Sequence, residues 1–427
     1  MKVGIYSLGC KVNIYESEFI TDLLKNKGYK IVPFNDKDAD IYIINTCSVT
    51  NEADRKSRQI INRARRENKD ALIVVMGCYS QIKPEDIEAD IIIGNKDKSK
   101  IVSLIEEALK TKTKQKKIYD LRKEKTFEDM EITKFDNHTR AFVKIQDGCN
   151  AFCSYCIIPY TRGQIRSKKF KDVINEVTNL VNNGYKEIVL TGIHTGKYGL
   201  DLKDTNLEQL LNELVKIKNI YRIRLSSIEI NEITDGIIKL IKNNDIMAKH
   251  LHIPLQSGTD KILKSMNRCY DTKFFLNRIN EIRKNIPNIS ITTDLIVGFP
   301  GETEQDFTNT INLLNTIKFT KIHTFPYSKR DKTKASLMKN QINGKIKKER
   351  VRKVLNISQK NEYEYYKSFI NSTFEGVTEI KNDNTVIVHT SNYIPVLVNN
   401  NIPNNSIVKI KITNVDKNNK VFGEILN

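Results

Sequence analysis

The stretch GCNAFCSYCIIPYTRG sets Cys149, Cys153 and Cys156 at C-x3-C-x2-C spacing in a loop that follows an apolar strand. Three thiolates so close can wrap one face of a four-iron cluster and leave the fourth iron without a protein ligand. An iron left open in this way can bind a cofactor directly. A structural zinc would need a fourth ligand, and no Cys or His follows at finger-like spacing. Three more cysteines, Cys10, Cys47 and Cys78, end apolar strands in SLGCKVN, NTCSVT and MGCYS. Any one of them alone reads as a small buried hydrophobe. All three at the carboxyl ends of strands in one small parallel sheet converge on its ligand-binding edge, which predicts a second cluster. Cys269, in MNRCY, lies in a polar stretch far from both triads and is read as non-ligating.

The elements that must hold these cysteines follow from hydropathy patterning. The chain has 427 residues, enough for two or three domains. In residues 1–115, Ile/Val-rich runs at 2–9, 41–45, 71–77 and 89–94 alternate with helical patterns at 14–27, 51–68 and 98–110. Continuous apolar strands of this kind suit a parallel sheet buried on both faces, so the fold class is α/β, with a small doubly wound first domain. Residues 110–125 carry eight basic and two acidic side chains and read as a linker or exposed edge. From 135 to 366 the βα alternation restarts and gives six βα units, too few for a closed eight-stranded barrel. An open partial (β/α)6 barrel is expected, with ligands at the carboxyl ends of its strands. Residues 367–427 hold short β-rich runs broken by Asn-rich turns, the pattern of a small all-β, OB-like barrel of about five strands.

Composition narrows the partners. Seventy basic against fifty-one acidic residues give a net charge of +19. This points to a polyanion, with nucleic acid ahead of an anionic membrane. No apolar run approaches the length of a spanning helix, and MKVGIYSLGC lacks the pattern of a signal peptide. Seven cysteines, an odd count, exclude a fully paired disulfide scaffold. A cytoplasmic protein is expected. Residues 329–353 hold eleven basic and two acidic side chains, and the helix RKSRQIINRARR adds to them. The two basic runs and this helix together could make a track for phosphates.

The layout resembles the radical S-adenosylmethionine (SAM) methylthiotransferases along essentially the whole chain. The resemblance rests on SLGCKVNIYES, INTCSVT, GCNAFCSYCIIPYTRG, LTGIHTGKYG, RLSSIE, LHIPLQSGTDKILKSMNR, DLIVGFPGETEQDF and HTFPYSKRDKTKAS. It implies two [4Fe–4S] clusters. Cys149, Cys153 and Cys156 would hold one that binds and cleaves SAM to a 5′-deoxyadenosyl radical. Cys10, Cys47 and Cys78 would hold an auxiliary cluster whose open iron carries the sulfur to be transferred. Thr191, Gly192 and His194 are placed where the superfamily binds the SAM amino group. Ser226, Ser227 and Glu229 are placed to reach the ribose, with Gln256 and Ser257 at the end of the fourth core strand. His194 and His252 read equally as satisfied strand-end histidines. The last 57 or so residues look like the TRAM module, an RNA-binding barrel.

GCKVN followed by YES, TGIH and HTFPYS look most like the bacterial tRNA branch that acts on N6-threonylcarbamoyladenosine beside the anticodon. The family often has Gly-Thr after the YSxR stretch, where this chain has Asp331, Lys332 and Thr333. Lys345, Lys347, Lys348 and Arg350 are expected to carry much of the tRNA affinity. Tyr393 and Phe374 could stack on bases or fill the core of the small barrel. The sister branches, acting on isopentenyladenosine in tRNA or on a ribosomal protein side chain, are the nearest alternatives. A non-catalytic iron–sulfur RNA-binding regulator and a zinc-bound RNA-binding protein are those of another class. The sulfur donor and the electron donor are not legible in the residues.

Overall fold

A computed structural model of the chain describes residues 1–135, 139–382 and 385–426. The first domain is built on a six-stranded sheet, in the order Lys30–Val32, Lys2–Ser7, Ile41–Thr46, Leu72–Gly77, Ile91–Ile93 and Gln115–Lys117. All neighbours pair in parallel. Ile41–Thr46 is buried at every position, as its unbroken apolar run requires. Helices Lys11–Asn26 and Asn51–Glu67 each begin just past a cysteine-bearing strand end, and Thr50 caps the second through the Ala53 amide (3.1 Å). The two edge strands are the part the sequence did not mark. Each has three residues and stays partly polar, because an edge pairs on one side only. Gln115–Lys117 lies inside the basic segment read as a linker, so that segment first completes the sheet and only then leads to the next domain.

Six parallel strands form the core: Arg140–Asp147, Glu187–Gly192, Arg222–Leu225, His250–His252, Ser290–Val297 and Lys321–Pro326. Parallel bridges Ile223–Met247 and Ser227–His252 join the first three strands to the last three. Among the described residues no ladder closes the sixth strand onto the first, which leaves the open partial barrel that the six-unit pattern predicts. The long helix Gly344–Lys367 lies along the sixth strand, where Ser358 Oγ accepts from the Ile322 amide (2.9 Å).

The last five strands, from Thr373 to Ile425, close into a barrel around Val386, Val388, Val396, Ile410, Ile412 and Val421. This barrel docks at the amino-terminal ends of the core strands. Glu187 opens one strand and is fully buried between Arg222 (3.1 Å) and Arg224 (2.8 Å). Arg222 also donates to the His389 carbonyl (2.8 Å) and Arg224 to that of Thr390 (3.4 Å), both in the small barrel. Tyr393 packs under the Arg224 guanidinium at 4.5 Å and against His250 at 4.7 Å. Phe374 stacks edge-on with Phe369 at 5.4 Å. Both rings are half-buried in these contacts, and Phe374 also lines a surface cavity with Tyr221 and Asn392.

Candidate functional site

The SAM-type loop is fixed from several sides. Gly148 precedes Cys149 at φ 72°, and a Cβ there would sit 1.8 Å from the Gln164 carbonyl oxygen. Only glycine fits that turn. The segment 265–268 braces the loop. Ser154 donates through its amide to Met266 O (3.0 Å) and through Oγ to Ser265 O (2.8 Å). Asn267 Nδ2 donates to Ala151 O (3.1 Å), and Arg268 Nη1 reaches Cys153 Sγ at 3.3 Å. Arg268 also pairs with Glu229, which ties that carboxylate to the loop brace.

His194 is a partnered strand-end histidine. Its Nδ1 lies 3.3 Å from Cys149 Sγ and its Nε2 lies 2.7 Å from Glu232 Oε1. Burial alone would lower its pKa, but the hydrogen bonds to Cys149 and Glu232 outweigh burial and lift it to about 9. Ser226 Oγ is spent on Thr195 Oγ1 (3.1 Å). Ser257 Oγ is buried and has no hydrogen-bond partner among the described residues. Thr191 is buried at its strand end beside Gly192, and Ser227 follows the third strand.

The second triad sits at the carboxyl ends of Lys2–Ser7, Ile41–Thr46 and Leu72–Gly77. Gly9 holds φ 102°, and a Cβ there would press on Cys47 Sγ at 2.9 Å. Burial, then the charge of Cys78, pushes the Cys47 thiol up to about 12, with Cys10 adding to it. On the other loop, burial and then Cys153 push Cys156 up to about 12. Thiols packed this closely oppose one another's ionisation, and a metal cluster relieves that opposition by binding the thiolates. The donor sets therefore fit iron–sulfur ligation. All seven cysteines are free. Among the described residues no three His, Cys, Asp or Glu side chains converge on one metal ion. A cluster offers each thiolate its own iron and does not need that convergence.

A cavity of about 190 Å3 joins the two cysteine loops. Val49 and Thr50, just past Cys47, form one wall. Tyr155, Cys156 and Ile157 form another, and Gln256, Asp294, Ile296 and Phe325–Ser328 complete it. Gln256 holds φ 64°, a strained value for a residue with a side chain. Arg330, in the segment just past this wall, grips the Cys47 loop. It bonds Ser48 Oγ (2.7 Å), Asn51 Oδ1 (2.7 Å) and Asp54 Oδ2 (2.8 Å). Arg162, Arg268, Glu232 and Arg330 were not marked as site residues in the sequence. The three arginines lie inside the motifs TRG, MNR and YSKR, whereas Glu232 lies in none of the motifs.

The basic track is corrected by burial. Arg350 is buried and paired with Glu302 and Glu304 (3.0 Å), so it holds the long helix to the core and offers nothing to a phosphate. Lys347 is partly buried, donating to the Tyr327 carbonyl (3.0 Å) over that ring. Lys345 and Lys348 are exposed, as are Lys329, Lys332, Lys334 and Lys339.

The fold and the two cysteine loops define a radical SAM enzyme, and comparison with known proteins agrees. The radical SAM superfamily profile matches residues 143–314, and that of the uncharacterized protein family UPF0004 matches residues 2–95. A relative from Bacillus subtilis (strain 168), a threonylcarbamoyladenosine tRNA methylthiotransferase, is 42% identical over 96% of this chain and 93% of its own. One of the same description from Aquifex aeolicus is 43% identical over 86% of this chain and 90% of its own. A tRNA-2-methylthio-N(6)-dimethylallyladenosine synthase from Thermoanaerobacter pseudethanolicus is 39% identical over 83% of this chain and 77% of its own. Among solved structures, the radical SAM methyltransferase TsrM from Kitasatospora setae is similar in fold, with a TM-score of 0.58 at 14% identity. That likeness covers 79% of this chain and 77% of the other. The chain belongs to the radical SAM methylthiotransferase family, and it is a transferase. The family implies SAM and a [4Fe–4S] cluster as cofactors. No helix is long and apolar enough to cross a membrane among the described residues.

Proposed function

We propose that the chain methylthiolates tRNA, converting N6-threonylcarbamoyladenosine at position 37 to its 2-methylthio derivative, with two [4Fe–4S] clusters. The observation that supports this best is a cavity walled by Val49 and Thr50 of one cysteine loop and by Cys156 of the other. A base entering it would meet Cys156 of one triad and Val49 and Thr50, two and three residues past Cys47 of the other. Carbon 2 of adenine carries an unreactive C–H bond, which acid/base chemistry does not open. When bound, the clusters and SAM supply the radical and the sulfur.

The chain's own residues do the rest. Cys149, Cys153 and Cys156 hold the SAM-cleaving cluster, and Cys10, Cys47 and Cys78 hold the auxiliary one. Val49 and Phe325, half-exposed apolar side chains, face the cavity and offer surfaces for a base. Gln256 and Asp294 give polar contacts at its wall, while Thr191, Gly192 and Ser257 stand at neighbouring strand ends for SAM. Exposed Lys345 and Lys348, with Lys339 on the same run, take the phosphates, and the C-terminal barrel acts as the RNA-binding module.

Mass spectrometry of tRNA nucleosides tests the reading. The host lacks its own threonylcarbamoyladenosine methylthiotransferase and carries either this chain or its Cys153→Ala form. The 2-methylthio product is expected only with the intact chain. Product from the Cys153→Ala form overturns the cluster assignment. The identity to a dimethylallyladenosine synthase favours one second reading, and methylthio-isopentenyladenosine in the same digest would carry it.

A further inference from the structure

Where the first helix meets the core, beside the self-balanced pair Lys168 and Glu176 (2.7 Å), six ionisable side chains form one buried network, none more than 3% exposed: Glu16, Asp147, Lys98, Lys144, Arg162 and Arg166. Four are cations and two are carboxylates, a surplus of two positive charges. Arg162 is the hub. It bonds Glu16 (2.9 Å), Asp147 (3.1 Å) and Asn13 Oδ1 (2.8 Å). Lys144 bridges the same two carboxylates at 2.9 and 2.7 Å. A buried surplus of charge is costly unless something of opposite sign lies beside it.

What lies beside it is the second triad. Asn13, held by Arg162, donates to Leu8 O (2.6 Å) and Thr46 O (3.0 Å), the backbones that lead to Cys10 and Cys47. Asn95 accepts from Lys98 (3.0 Å) and donates to Cys78 Sγ (3.5 Å). Arg162 thus reaches the segments of Cys10 and Cys47 through Asn13, and Lys98 reaches Cys78 through Asn95. Three thiolates around an oxidised four-iron core carry net negative charge, and reduction adds one more. Arg162 itself belongs to the stretch Cys149–Arg162 that carries the other triad, in the other domain.

We infer that the auxiliary cluster is the counter-anion of this interdomain charge cluster, with Arg162 as its positioning residue, so that loading the N-terminal triad locks the first domain against the core. The inference rests on the reading of Cys10, Cys47 and Cys78 as cluster ligands. It also makes Arg162 a redox determinant, because a buried cation beside a cluster favours its reduced, more negative form.

The test uses the full chain with Cys149, Cys153 and Cys156 changed to alanine, so that only the N-terminal triad can load, reconstituted anaerobically with iron and sulfide. Hydrogen exchange is compared before and after loading. The midpoint potential is then measured by electron paramagnetic resonance with Arg162 intact and in the Arg162→Gln and Arg162→Lys forms. Loading is expected to slow exchange at least tenfold in Lys11–Asn26 and Ile158–Arg162. Arg162→Gln is expected to move the reduction equilibrium about tenfold toward the oxidised form, about 59 mV for one electron. Arg162→Lys keeps the charge and stays near the parent. If Arg162→Gln fails to fold by circular dichroism, the lysine form and the exchange measurement decide. A loaded chain with exchange unchanged at both segments, or a glutamine variant with the parent's potential, overturns the inference alone. No iron at this triad overturns it together with the ligand reading.

Discussion

Arg330→Ala separates the seating of the auxiliary loop from the cysteines themselves. The guanidinium is buried, 4% exposed, and holds Ser48, Asn51 and Asp54 across the domain boundary. Removing one partner of a buried ion pair costs about 3–5 kcal/mol. Asp54 keeps one bond from Ser48 Oγ at 2.7 Å, which places the cost at the lower end, about 3 kcal/mol. This loss falls on residues 47–50 and on the first turn of the helix Asn51–Glu67, not on the domain core, because the Thr50 cap and the packing of the later turns remain. At 1.4 kcal/mol per tenfold, amides in residues 47–54 are expected to exchange about 100-fold faster in the cluster-free chain. Iron content should not change, since Arg330 touches no cysteine. In turnover, 5′-deoxyadenosine per methylthio product should rise, because a loosened auxiliary loop leaves SAM cleavage intact. Arg330→Lys retains the charge but not the fork, and should fall between the two. Exchange in the alanine variant within threefold of the parent would refute the seating role.

Three further outcomes are expected. Gly148→Ala forces a side chain into φ 72° against the Gln164 carbonyl, so the SAM-type triad should lose most of its iron while the N-terminal triad keeps its own. Iron and sulfide counted on the two single-triad backgrounds check this. Changing the exposed Lys339, Lys345 and Lys348 to glutamine should weaken tRNA binding and lower the slope of log K against log salt by up to about 3. Titrations at three salt concentrations read it, and an unchanged slope places the phosphates elsewhere. Arg350→Gln, by contrast, should destabilise the helix Gly344–Lys367 and leave that slope unaltered, because its charge is already paired with Glu302 and Glu304.

Much of the site was legible because it depends on strand ends. A cysteine one residue past an apolar run must lie at the carboxyl edge of a parallel sheet, and Cys10, Cys47 and Cys78 do. The six βα repeats likewise counted the core strands. What could not be read were partnerships between distant charges. Arg350 and Lys348 stand two residues apart in one basic run, yet one is buried on Glu302 and the other faces solvent. Glu302 lies 48 residues away, and no local pattern links them. The partners of His194 were hidden for the same reason, since Glu232 and Cys149 come from other segments of the core. Gln115–Lys117 was missed because a three-residue polar edge strand needs a neighbour, not a hydrophobic period.

The two ends of the core are put to different uses, and this division can be tested at Glu187. Strand carboxyl ends carry the cysteines and the cavity, while the amino-terminal ends carry the ion-paired seat of the C-terminal barrel. Burial alone would raise the Glu187 carboxyl, but Arg224 and then Arg222 outweigh burial and hold it near 2, against an ordinary 4.5. Burial lowers Arg222 as well, but a guanidinium stays charged throughout this range, so the carboxylate sets the pH response. A carboxylate depressed on folding adds stability that is complete above 4.5 and is lost as pH falls from there toward 2, about 3 kcal/mol in all. Glu187→Gln should therefore destabilise the docked barrel at neutral pH and flatten the acid limb of its stability curve between those values. Hydrogen exchange in Thr385–Thr390 across the pH series measures it. Because this seat lies at the far end of the strands, iron uptake by both triads should be unchanged in the same variant. A Glu187→Gln chain that loads poorly would show that the two ends are coupled through the strands.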